Sequence, residues 1–119
     1  MDHEAAYALF CDARDASESG ELELAVSFLH LSLEKAIHFK TLELLGDTLI
    51  QQKKPKEAII PLAASASLNR GPRASYLLAQ AFFELEQDQE ALTAAEEALR
   101  RNPKYKMAAE LIDLIKAKK

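Results

Sequence analysis

The sequence predicts an all-α fold, an array of about seven helices packed in antiparallel pairs. Three observations carry the prediction. Ala, Leu, Glu, Lys and Gln, which lose little side-chain freedom in a helix, dominate a chain with only three glycines and four prolines. Helical periodicity runs almost throughout, broken only by short punctuation. Related segments return every 33 residues, as shown by Ala25, Ala58 and Ala91.

Taken in order, the breaks fall at Ser19-Gly20, Lys53-Lys54-Pro55, Asn69-Arg70-Gly71-Pro72, Gln87-Asp88 and Asn102-Pro103. They predict helices over 3–18, 21–38, 40–53, 56–68, 73–86, 89–101 and 104–117. Helices of this length are marginal alone and must pack on their neighbours. Similar heptapeptides open the second, fourth and sixth: Leu24-Ala-Val-Ser-Phe-Leu-His30, Glu57-Ala-Ile-Ile-Pro-Leu-Ala63 and Glu90-Ala-Leu-Thr-Ala-Ala-Glu96. Gly46 and Ala79, small residues in first helices, repeat at the same period and allow close approach of paired helices. Pro61 removes a donor from the second turn of the fourth helix and is expected to bend or delay it. In the last helix Met107, Leu111, Leu114 and Ile115 are read as one apolar face, opposite Glu110, Asp113 and Lys116.

At 119 residues, 49% hydrophobic and 29% charged, the chain suits a single folded domain and is too apolar to stay disordered. A signal-like start and a long apolar run are both lacking, so a cytoplasmic location without membrane contact is expected. The lone Cys11 has no internal disulfide partner and reads as a small core residue. A net charge of −4 argues against nucleic acid as a partner. The charge is nevertheless polarised. Residues 1–24 carry seven acidic side chains against Arg14 alone, and residues 100–119 carry seven basic ones against Glu110 and Asp113.

Leu78-Ala79, Phe82, Ala91, Ala98 and Pro103 resemble the tetratricopeptide repeat in order and spacing, and Leu42, Leu45-Gly46, Leu49, Ala58 and Leu62 resemble it again one period earlier. Ser65 stands where the family has a later alanine, and the first unit, with Gly20 and Ala25, has Asp12 where an apolar residue is usual. The resemblance implies a right-handed superhelix spanning residues 1–119, with repeats at about 5–38, 39–71 and 72–103 and a capping helix at about 104–117. It also implies a concave groove lined by first helices, where a peptide or helix of a partner protein binds. The residues placed there are Tyr7, Phe10 and Arg14, then Lys40, Glu43 and Asp47, then Arg73, Tyr76, Gln80 and Phe83. Aromatic rings beside charged side chains suit a peptide with apolar anchors, and equally suit packing between helices.

Some of the family grip the terminal carboxylates of chaperone tails with a clamp of lysine, asparagine and arginine. Here those positions hold Phe10, Arg14, Leu44, Arg73 and Leu77, and leucines cannot bind a carboxylate, so no such activity is expected. His30, Glu34 and His38 recur four residues apart, but successive steps drift around a helix and the spacing reads as a solvated face. Without a phosphate loop, HExxH or GxSxG, neither an enzyme nor a cofactor is expected. Besides an adaptor or scaffold, the polarised charge allows a second function: self-association, in which an acidic amino-terminal end meets a basic carboxyl-terminal end. Contact of the basic end with an anionic surface is a third and weaker reading.

Overall fold

The computed structural model describes residues 1–118, which form seven helices. These are α1 (His3–Glu18), α2 (Leu22–Lys35), α3 (Phe39–Gln51), α4 (Pro55–Leu68), α5 (Arg73–Glu84), α6 (Asp88–Arg101) and α7 (Lys106–Ala117). Each first helix packs antiparallel on its successor, giving the pairs α1–α2, α3–α4 and α5–α6, with α7 closing the array. The result is a right-handed superhelical solenoid measuring 46 × 26 × 20 Å.

The turns within pairs are alike because one backbone state repeats. Gly20, Lys53 and Glu86 are 33 residues apart and all have positive φ, of 81°, 65° and 60°. This left-handed residue ends the first helix and reverses the chain; glycine, lysine and glutamate occupy it once each. The second helices also end in phase, with Ala36, Asn69 and Asn102 extended. Ala36 stops α2 three residues short of the expected 38, and the His38 side chain instead accepts the Lys40 N–H at the start of α3. His30, Glu34 and His38 therefore do not share one helix.

Alanines fill most of the close contacts between paired helices: Ala13, Ala25, Ala58, Ala79, Ala91, Ala95 and Ala98 are fully buried. Gly46 faces Leu62 so closely that a Cβ at position 46 would overlap the leucine's Cγ. Ser32 and Ser65, one period apart, donate hydrogen bonds to the carbonyls of Ala6 (2.7 Å, buried) and Phe39 (2.8 Å, partly buried), fastening each second helix to the start of its partner. The serine at 65 is thus a tie between helices. Pro61 does not break α4, which runs unbroken from Pro55 to Leu68. The donor it lacks would have met the carbonyl of exposed Glu57, in the first turn of the helix, where water can serve instead.

The curvature follows from which helices touch. α1, α3, α5 and α7 touch in succession, whereas the Cα atoms of α2, α4 and α6 stay more than 8 Å from one another. The layer of first helices is compressed and the layer of second helices splayed, so the first helices line the concave face.

Candidate functional site

At the amino-terminal end of the concave face, Tyr7, Phe10 and Phe39 wall a cavity of about 450 Å³. Ala6 and Ala36 also line it, together with His3, His38 and Lys40. Tyr7 and Phe10, three residues apart on α1, stack with ring centroids 6.4 Å apart, and Phe39 stacks on His38 at 4.7 Å. The Arg14 guanidinium lies 6.0 Å from the Phe10 ring centre, so these three residues of α1 form one surface. Tyr7 is 65% exposed, a large apolar area that the fold itself does not use.

Midway along the groove, α3 presents Glu43 and Asp47 one turn apart, and Arg73 reaches them from α5. Its Nη2 lies 3.1 Å from Asp47 Oδ2 and its Nη1 3.5 Å from Glu43 Oε2. Burial raises the Glu43 carboxyl above its ordinary value, and Arg73 opposes the shift. Lys40, Glu43, Asp47 and Arg73 are thereby brought together as an electrostatic set.

Toward the carboxyl-terminal end, Gln80 is half-buried and Phe83 lies beneath Lys118, whose Nζ is 5.0 Å from the ring centre and 3.1 Å from Asp88 Oδ1. Tyr76 departs from the expected open surface. Only 9% of it is exposed, and its ring meets Tyr105 edge-on at 5.8 Å, so it belongs mainly to the core. Burial raises both phenols. Among the described residues, no group of three or more His, Cys, Asp or Glu is arranged to hold a metal.

Residues 72–105 match the model of a tetratricopeptide repeat. The whole chain superposes on solved domains of that kind. The first such domain of Spaghetti (RPAP3), bound to an HSP90 peptide, gives a TM-score of 0.94 at 18% identity, covering 98% of this chain and 94% of that one. The fold is that of a tetratricopeptide-repeat domain. The Arabidopsis OM64 domain gives 0.92 at 15% identity, covering 97% of each chain. The second such domain of human RPAP3, in complex with an HSP70 peptide, gives 0.91 at 18%, covering 96% and 97%. No curated protein sequence matches the chain.

The repeat frame also corrects the reading of α7. Ala108, Leu111 and Ile115 are buried, but Met107 and Leu114 are 49% and 58% exposed. Counting 34 residues on from Arg73, Tyr76 and Gln80 gives Met107, Glu110 and Leu114, so the cap's exposed apolar residues occupy concave positions and continue the groove. The Glu110 charge is felt at Tyr76, as that placement requires. The signal was in the sequence: Asn102-Pro103 is followed by one residue more than the earlier 33-residue period allows, which rotates α7 relative to a 33-residue reading.

Proposed function

We propose that this tetratricopeptide-repeat domain is a protein-interaction module, an adaptor or scaffold that holds a peptide or helix of a partner protein along its concave face and performs no chemistry. The observation that carries the reading is the exposed aromatic cavity at Tyr7, Phe10 and Phe39, open at the end of a groove that charged side chains continue. Apolar anchors seated in a pocket, with charges paired at the rim, supply most of the affinity in peptide recognition. The overall charge of −4 favours a protein partner over nucleic acid.

The similar domains of RPAP3 hold HSP90 and HSP70 peptides, and this chain has their fold with only Arg14 and Arg73 as donors at the positions of a terminal-carboxylate clamp. Leu77 is buried, Leu44 packs against the core, Phe10 lies against Arg14, and Arg73 is occupied by Glu43 and Asp47. The peptide held here is therefore of a different kind.

The test compares capture from cell extract by the intact protein and by a Tyr7→Ala/Lys40→Ala/Gln80→Ala variant, whose replaced side chains lie outside the buried core. A partner retained by the first and lost by the second, with helicity unchanged by circular dichroism, is the expected result. Equal capture would move the site to the convex cleft beside Ile60 and Pro61.

A further inference from the structure

The groove has an apolar end, a charged middle and a second apolar end. The first end is the cavity of Tyr7, Phe10 and Phe39, and the last is the pair Met107 and Leu114 on α7. Between them lie two carboxylates, Glu43 and Asp47, against one guanidinium, Arg73, and a third carboxylate, Glu110, stands on α7 between Met107 and Leu114 with its charge acting on Tyr76. Lys40, which faces Glu43 from the edge, and Arg14, which lies against Phe10, bring the groove as a whole to balance, but around Tyr76 the carboxylates of Asp47 and Glu110 face Arg73 alone. Arg73 already shares its donors between Glu43 and Asp47, so an incoming carboxylate would have to displace two others. An incoming cation meets acceptors that one arginine does not saturate, since each carboxylate can accept several hydrogen bonds.

We propose that the groove selects a linear, extended segment of a partner protein that carries an apolar side chain near each end and an arginine or lysine between them. The inference rests on the concave face being the binding surface. One apolar side chain enters the Tyr7–Phe10–Phe39 cavity, and the other covers Met107 and Leu114. The basic group sits between Asp47 and Glu110, beside the edges of Tyr76 and Tyr105. Length follows from the helix spacing: three steps of about 8–10 Å separate α1 from α7. An extended chain rising about 3.3 Å per residue crosses that distance in about eight or nine residues.

The experiment selects random nine-residue peptides, displayed with no free carboxyl terminus, on the intact protein. Enriched sequences are expected to place Arg or Lys in the central three positions and apolar residues toward both ends. The best of them, measured by fluorescence anisotropy, should bind an Asp47→Asn/Glu110→Gln variant about tenfold more weakly, the loss expected when charged acceptors become neutral. In a Leu114→Lys variant the apolar preference should vanish at one end only. Enrichment of acidic centres, or indifference to central charge, would overturn the proposal while leaving groove binding intact. Peptides that bind the Tyr7→Ala/Lys40→Ala/Gln80→Ala variant as well as the intact protein would overturn groove binding itself, and an empty selection would overturn both.

Discussion

Gly46 sets the separation of α3 and α4, because the atoms of Leu62 occupy the space a side chain would need. One period later the same positions hold Ala79 and Ala95, and one period earlier Ala13 and Leu29, all fully buried, so the close Gly46–Leu62 approach is particular to the middle pair. Gly46→Ala is therefore expected to lower stability by about 1–3 kcal/mol through overpacking. Adding Leu62→Ala, which copies the third unit's pair, should recover part of that loss, and chemical denaturation of the three variants measures the coupling. The sequence shows the small residue at 46, but the leucine it accommodates becomes visible only when the two helices are stacked. Tyr76 teaches the complementary lesson. Its spacing with Gln80 and Phe83 marks a shared helix face, yet Tyr105, just ahead of α7, covers the ring and turns a candidate contact into core.

Among the elements, α6 and α4 are joined by one side chain. Arg101, at the end of α6, donates to the carbonyls of Ala66 (3.0 Å), Asn69 (2.9 Å) and Gly71 (3.3 Å), capping the end of α4 and the loop that follows. Glu97, one turn earlier, holds Arg101 at 2.8 Å and also pairs with Arg100. Hydrogen bonds from Arg100 and Arg101 lower the Glu97 carboxyl from 4.5 to about 2. A carboxylate depressed by folding stabilises the fold above its unfolded value and loses that contribution as pH falls toward the folded one. The thermal midpoint of the intact protein should thus exceed that of Glu97→Gln at pH 6, and most of the difference should be lost as pH falls from about 4.5 to about 2; a gap as wide at pH 2 as at pH 6 would contradict this. The helices themselves were largely legible, because apolar periodicity and the 33-residue period reinforce each other; α1 spans the expected residues. The periodicity failed at the ends. Ala36, Ile37 and His38 continue a helical pattern into extended backbone, whereas the period of Asn69 and Asn102 places the stop at 36. The same kind of phase error concealed Met107 and Leu114 as groove residues.

On the scale of the whole molecule, Asp12 explains what was irregular in the first unit. It holds the position of Leu45 and Leu78, which pack inside the array, whereas Asp12 is exposed. Asp113 stands 34 residues after Ala79, on the face of α7 where a further second helix would pack, and it too is exposed. A charged residue at either position disfavours the packing of another helix there. Asp12→Leu should consequently give a protein whose mass rises with concentration in sedimentation equilibrium while the intact chain keeps a single mass. If the intact chain itself gained mass at low salt and lost it as salt was added, its acidic and basic ends would be the attracting surfaces. The splayed outer layer has a mechanical meaning as well. Because the Cα atoms of α2, α4 and α6 stay more than 8 Å apart, bending the array strains little among them beyond the Arg101 tie between α6 and α4, and the resistance lies in the packing of each second helix on the first helix that follows it and in the pairs themselves. The molecule is a leaf spring clamped along its inner edge, soft in the one direction that changes the width of the groove. On the function proposed above, ligands of different girth would be gripped by flexing the frame, with every helix pair kept whole.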